Sequence, residues 1–339
     1  MKKLLAGSAL ALIAFAGAAA AESHSAGSLC LITKNNTNPF FVKMREGAEA
    51  RANELGMELK AFAGVTDGDA APQITAIENC VAAGAKGILI TASNDSVTPA
   101  LIDARNAGVL VIALDTPLAD PEAQDMTFAT DNFEAGLLIG KWAAATLGDE
   151  AANAKIAMLD INKDNISVDV ARDTGFLVGF GIEVPDLSVM GSETDPRVIG
   201  HETSNASVEG GVTAMENLLA KDPDINVVYT INEPAAEGAY QALQNAGKTE
   251  GVLIVSVDGG CPGVENVKAG VIGATSQQYP LLMASKGVEA VAAYIKDGSK
   301  PSASEGLTFF NTGVNLVTDA PVDGVESIDS AKGLELCWG

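Results

Sequence analysis

Apolar and polar positions follow one another along this chain in a repeating order. A short apolar run gives way to a polar loop, then to a segment of helical length closed by glycine. Runs at 29–33, 57–62, 87–91 and 109–114 predict strands, and 42–55, 70–83 and 98–106 predict helices ending at Gly56, Gly84 and Gly108. The run at 87–91 has no polar interruption, as a parallel strand buried on both faces requires. The order then restarts. Helices are predicted at 134–147, 168–179, 209–220 and 235–245, strands at 155–159, 227–230, 252–257 and 271–275, and no element over 183–198. Strands alternating with helices of this length predict an α/β protein with parallel sheets covered on both sides.

The second half echoes the first. Ile88-Leu89-Ile90-Thr91 resembles Val227-Val228-Tyr229-Thr230. The next helix ends Asn106-Ala107-Gly108 in one copy and Asn245-Ala246-Gly247 in the other. The runs 109–114 and 252–257 then end on Asp115 and Asp258. Three matches in order predict two related lobes, each with a carboxylate at the carboxyl edge of its sheet. Ligands of open α/β sheets bind at that edge.

Asn36-Thr37-Asn38-Pro39-Phe40-Phe41 follows the first strand. Asn38 suits a helix cap and Pro39 the first helical position, where a missing N–H costs nothing. Phe40 and Phe41 then stand in the first turn, serving either the core or a ligand. Other polar residues gather at strand ends: Thr91, Ser93, Asn94 and Asp115 in the first half, and Asp160, Asn162, Asn205, Asn232, Glu233 and Asp258 in the second. Arg172 lies in the helix after 160–167, and Gln277 and Gln278 follow a strand. Amides both donate and accept, carboxylates accept from hydroxyls, and a guanidinium donates several bonds. A polyol presents that mixture, and its C–H surface suits aromatic faces. A strand-end Asp can equally cap the next helix, and a loop Asn can simply form a turn.

Composition sets the compartment. Lys2 and Lys3, an uncharged apolar run and Ala19-Ala20-Ala21 predict a signal peptide over 1–21, cleaved near Ala21, and an exported, soluble, periplasmic protein. Its removal takes two lysines and no acid from 21 basic and 44 acidic residues, so the net charge of −23 becomes −25. Such a chain repels nucleic acid. Catalytic signals are weak. His24 and His201 are the only histidines, no His–carboxylate spacing along the chain suits a metal, and Gly259-Gly260-Cys261-Pro262 has no nearby histidine. With no nucleotide-binding glycine loop either, neither an enzyme nor a cofactor is expected.

Six stretches in order carry a family resemblance: Asn38-Pro39-Phe40-Phe41, Ala113-Leu114-Asp115, Arg172-x-x-Gly175-Phe176, Thr230-Ile231-Asn232-Glu233, Val257-Asp258-Gly259 and Ala274-Thr275-Ser276-Gln277-Gln278. The chain resembles the periplasmic sugar-binding proteins of ABC importers, in the ribose-binding class, with details closest to its fructose-binding branch. The resemblance implies two similar doubly wound lobes joined by a three-segment hinge near 130–132, 278–279 and 311–313. The first lobe would comprise 22–130 with 279–312, the second 131–278 with 313–339. A monosaccharide, fructose ahead of ribose or mannose, would be captured between them by hinge closure and delivered to an inner-membrane permease. A chemoreceptor reading the same closed form is a second partner, and a monomer is expected. The implied ligand set is Asn38, Phe40, Phe41, Thr91 and Asp115 from the first lobe, and Arg172, Asn205, Asn232, Asp258 and Gln278 from the second. Ribose binders carry an arginine where Thr116 stands, an asparagine near Thr91, a phenylalanine where Val257 stands and an aromatic near Asn205 and Ala206. These departures imply a roomier pocket. In the implied lobes Cys30 falls within reach of Cys80, and Cys261 within reach of Cys337, where a bridge would staple the tail; buried free thiols are the alternative.

Overall fold

The computed structural model describes residues 27–66 and 68–339. The signal peptide expected over 1–21, and His24, lie outside the described residues. The strands among the described residues are β1 (Ser28–Thr33), β2 (Glu58–Ala63), β3 (Gly87–Ile90), β4 (Leu110–Leu114), β5 (Met126–Ala129), β6 (Ile156–Asp160), β7 (Val198–Thr203), β8 (Val227–Thr230), β9 (Leu253–Asp258), β10 (Ala274–Gln277), β11 (Phe310–Asn311) and β12 (Asn315–Val317). They form two six-stranded sheets, ordered β11-β5-β4-β3-β1-β2 and β12-β10-β9-β8-β6-β7. Every pairing is parallel except β10 with β12. The strands that look alike in sequence, β3 with β8 and β4 with β9, hold the same places in the two sheets. The chain leaves the first sheet after Ala129, returns after Gln277 and leaves again after Asn311.

The helices are α1 (Pro39–Glu54), α2 (Ala71–Ala82), α3 (Thr98–Asn106), α4 (Asn132–Leu147), α5 (Ser167–Gly179), α6 (Val208–Lys221), α7 (Glu233–Ala246), α8 (Cys261–Lys268), α9 (Pro280–Asp297) and α10 (Ser330–Leu336). Among the described residues no helix is long and apolar enough to cross a membrane. The strand period of two distributes each apolar run between two cores. Leu29, Leu31, Leu89, Ile112 and Leu114 join one cluster of the first lobe, with Met44 of α1 and Met283 and Val288 of α9. Cys30, Ile32, Ile88, Ile90, Val111 and Ala113 join the cluster on the other face, with Ile77 of α2 and Leu101 of α3. The second sheet is covered on both faces in the same way.

Five elements depart from the sequence reading, two of them the two-residue β11 and the C-terminal α10, both too short to show a period. β5 is four residues long and contains a threonine, too short to stand out by periodicity. β7, with the sequence VIGHET, is half-buried throughout and pairs on one side only, with β6. An edge strand need not be apolar on both faces. The short helix α8 opens on Cys261-Pro262, which the sequence reading left as loop. Cys30 is bonded to Cys80 with Cα atoms 6.3 Å apart, and Cys261 to Cys337 with Cα atoms 4.9 Å apart. The first bridge ties β1 to α2. The second ties α8 to the C-terminal tail and brings Trp338 among the buried side chains of the first lobe.

Candidate ligand-binding site

The carboxyl ends of both sheets meet around a cavity of about 50 Å³ between the lobes. That is room for about four waters at 10–15 Å³ each, so for one small solute. Its wall includes Asn38, Phe40, Phe41 and Asp115 from the first lobe, and Arg172, Asn232, Asp258 and Gln278 from the second. A groove of about 550 Å³, lined by Asn94, Thr116, Asn162 and Ile166 among others, runs alongside.

In the first lobe, Asn38 caps α1, its Oδ1 accepting from the Phe40 amide at 2.9 Å, and Pro39 takes the first turn. The cap fixes the direction in which both rings leave the helix. Phe40 and Phe41 meet edge to face at 5.4 Å, and Phe40 meets Trp338 edge to face at 5.3 Å. All three belong to the core cluster, while Phe40 and Phe41 also line the cavity. The choice between core and cavity wall is therefore not exclusive: both rings belong to each. Trp338 is held by its indole N–H, which donates to the Gln278 carbonyl at 2.7 Å, and by its own carbonyl, which accepts from the Cys261 amide at 2.8 Å.

Asp115 and Asp258 both have positive φ, 65° and 142°, a region non-glycine residues seldom occupy. Neither caps a helix: Asp120 caps the short turn after β4, and Gly260 occupies the cap position of α8. Asp115 accepts from the Thr116 hydroxyl at 2.8 Å. Asp258 accepts from the Gln278 side-chain amide at 2.8 Å and faces the Arg172 guanidinium at 3.7 Å. Burial pushes Asp258 up to about 6; Arg172 and Gln278 oppose the shift and the Asp115 carboxylate adds to it. Burial thus outweighs the ion pair. Glu233 fixes the turn beyond Asp258, accepting from the Gly259 and Gly260 amides at 2.8 and 3.0 Å and from the Thr275 hydroxyl at 2.8 Å.

Arg172 is buried and held on three sides. Its Nε donates to Asn132 Oδ1 at 2.7 Å, and one Nη donates to the Ile231 carbonyl at 3.0 Å as well as facing Asp258. The contact with Asn132 requires α4 and α5 to lie unusually close. A Cβ on Gly136 would stand 2.0 Å from the Arg172 carbonyl oxygen, and one on Gly175 2.2 Å from the Phe133 oxygen. Glycines repeat four residues on in both helices, at Gly140 and Gly179, so backbone packs on backbone. That spacing was legible in the sequence and is the signal that locates the arginine.

Asn232 caps α7 through its Oδ1, which accepts from the Ala235 amide at 3.1 Å, and its Nδ2 donates to the Ala206 carbonyl at 3.3 Å. Gln278 is buried, and its Oε1 has no protein partner, which leaves an acceptor for a ligand hydroxyl. Two expected ligand residues stand elsewhere. Thr91 is fully buried and its hydroxyl donates to the Met44 sulfur at 3.3 Å, because strand alternation turns it into the core. Asn205 is exposed in a left-handed turn, φ 51°, while its neighbour Ala206 lines the cavity. Lys34, directly after β1, and Ile161, Val168 and Ile231 complete the wall. Sequence reasoning passed over these because one is a lone lysine and the others are aliphatic.

Residues 29–300 match the family described as periplasmic binding protein domain. The ribose import binding protein RbsB of Haemophilus influenzae is 31% identical over 304 residues, 89% of this chain and 96% of its own. The D-allose-binding periplasmic protein of Escherichia coli is 25% identical, over 82% of this chain and 87% of its own. Among solved structures, a periplasmic solute-binding protein of an ABC transporter from Actinobacillus succinogenes, with bound D-allose, aligns with TM-score 0.75 at 22% identity, over 91% of this chain and 99% of its own. The Caulobacter myo-inositol-binding protein, with bound myo-inositol, aligns with TM-score 0.73 at 22% identity, over 87% and 94%. The class defined by fold and site is a two-lobed periplasmic binding protein. Within it, the chain belongs to the family that includes the ribose import binding proteins.

Proposed function

We propose that this protein captures one monosaccharide between its lobes in the periplasm and presents the closed form to an ABC permease. One observation carries the reading. Two carboxylates, a guanidinium, three amides and two aromatic rings, drawn from both lobes, enclose a space of about 50 Å³. A sugar ring offers hydroxyls to the polar groups and C–H faces to the rings. It touches both lobes only when they are closed, so its binding shifts the equilibrium toward closure. The relatives named above bind or import small polyols, which supports the class of ligand. Their diversity leaves the particular sugar to the wall. Thr116, in the adjoining groove, stands where ribose binders carry an arginine, and the smaller side chain favours a hexose or ketose; Val257 is buried in the core of the second lobe and does not bear on the choice. Fructose is the first candidate, with ribose and mannose behind it.

Thermal-shift and calorimetric titration with fructose, ribose, mannose, glucose and galactose tests this. A saturable shift, greatest for fructose, is expected. A greatest response to another of the five overturns fructose alone. No response to any of them at millimolar concentration overturns the monosaccharide reading.

A further inference from the structure

Away from the cleft wall, the second lobe holds a buried cluster that sugar binding does not use. The side chains of Asp160 at the end of β6, Asp173 of α5 and His201 of β7 converge, their ligand-type atoms all within 4.8 Å of one another. His201 Nδ1 stands 2.9 Å from Asp160 Oδ2 and 3.5 Å from Asp173 Oδ2. A proton on Nδ1 serves one carboxylate. It leaves Asp160 Oδ1 and both oxygens of Asp173 without a hydrogen-bond partner, although the Asp173 side chain is 0% exposed. A buried carboxyl so placed takes up a proton, pairs with a cation or coordinates a metal. Asp169, one turn before Asp173, adds another partnerless buried oxygen, and the buried Tyr229 hydroxyl, itself partnerless, lies within the field of the same aspartates.

The geometry points to a divalent transition-metal site, Zn²⁺ or a cation of similar preference, with His201 Nδ1, Asp160 and Asp173 as ligands. The other ring nitrogen supports this. His201 Nε2 is 2.9 Å from Glu193 Oε1, and a metal-bound histidine characteristically donates its second N–H to a carboxylate, fixing the tautomer that leaves Nδ1 free to ligate. One imidazole with carboxylates suits zinc better than calcium or magnesium, which prefer oxygen alone. The His201 side chain is 21% exposed, which gives the ion a way in. No spacing along the chain announces the site, since its ligands come from three separate elements.

The test uses tag-free mature protein stripped with EDTA, titrated with ZnCl₂ by calorimetry and followed by thermal melting. One Zn²⁺ per chain and a higher melting temperature are expected, with a heat that varies with buffer because the ligand set releases protons on binding. Asp173→Asn and His201→Gln should abolish binding, and Glu193→Gln should weaken it about 10-fold. A cooperative melt identifies variants that fold. Co²⁺ gives a check on the unmodified protein: an intense visible band at one equivalent is expected. Absence of saturable Zn²⁺ binding, a Co²⁺ spectrum like that of the aqueous ion, or loss of binding in His24→Ala instead, overturns the site.

Discussion

Replacing Arg172 with alanine probes the cleft most directly. The guanidinium makes two hydrogen bonds, to Asn132 at 2.7 Å and Ile231 at 3.0 Å, and faces Asp258 at 3.7 Å. With an effective dielectric of about 20, the attraction to Asp258 is roughly 4 kcal/mol. Without it, the Asp258 carboxyl rises further above about 6 and takes a proton near neutral pH, which limits the loss. The ligand then loses a cationic donor and part of an anionic acceptor together. Truncating one member of a buried charged pair costs about 2–5 kcal/mol, roughly a 30- to 5,000-fold rise in Kd at 1.36 kcal/mol per tenfold. Calorimetric titration at pH 7.5 with the sugar that the screen selects reads the effect directly. The variant should bind more weakly by that factor, with the loss in dissociation rate. A folded variant within threefold of the unmodified protein would refute the assignment of Arg172 to the ligand site.

Asp115→Ala should cost about 2–5 kcal/mol of affinity in the same titration, whereas Asp115→Asn, which tolerates the left-handed backbone, should keep the melting temperature; affinity unchanged from the unmodified protein in both would exclude Asp115 as a ligand contact. Affinity should fall as pH drops through about 6, where the buried Asp258 takes up its proton. Because that folded value is raised above the ordinary 3.8, the same group adds to the stability of the ligand-free protein as pH falls from 7.5 toward 4, by at most about 3 kcal/mol. Opposite pH trends in calorimetry and melting are therefore expected, and Asp258→Asn should remove this contribution from both. The Cys261–Cys337 bridge closes a loop spanning 76 positions, worth about 4 kcal/mol in a chain-entropy model. Its double serine variant should melt lower and lose Trp338 fluorescence changes on ligand addition; an unchanged melt would show that the tail is held without it.

The sequence revealed elements best where burial is complete on both faces. β3 and β4 are apolar without interruption and β1, β8 and β9 nearly so, and their edges marked the places where polar residues gather. β7 was hidden because it is a half-exposed edge strand containing Gly200, His201 and Glu202. At the site, strand-end position was a good guide to the aspartates and a poor one to Thr91, since being last in a strand does not say which face a side chain takes. Asn205 fails for a related reason: two successive left-handed residues turn the chain there and present Ala206 instead. Trp338 was invisible as a site neighbour because its place depends on a disulfide from a different element. The glycine spacing in α4 and α5 was visible, but its meaning depends on which helices are neighbours.

The repeated aspartates show how a shared architecture acquires an asymmetric site. Asp115 and Asp258 end equivalent strands and both accept positive φ, a cost of about 1–3 kcal/mol each that ordinary capping would not require. Their surroundings then diverge. Asp115 has a neutral hydroxyl beside it and stands across from aromatic rings. Asp258 has an amide, a guanidinium anchored by Asn132 and the Ile231 carbonyl, and a turn pinned by Glu233. The charged hydrogen-bonding half is therefore organised within the second lobe, while the first lobe contributes the apolar wall and one acceptor. A ligand that meets the second lobe first would find its directional contacts in place, and the first lobe would add the rings. Symmetric lobes carrying equal charge would instead bring two unscreened carboxylates together, and it is Arg172, set by the close packing of α4 on α5, that makes the duplicated edge workable.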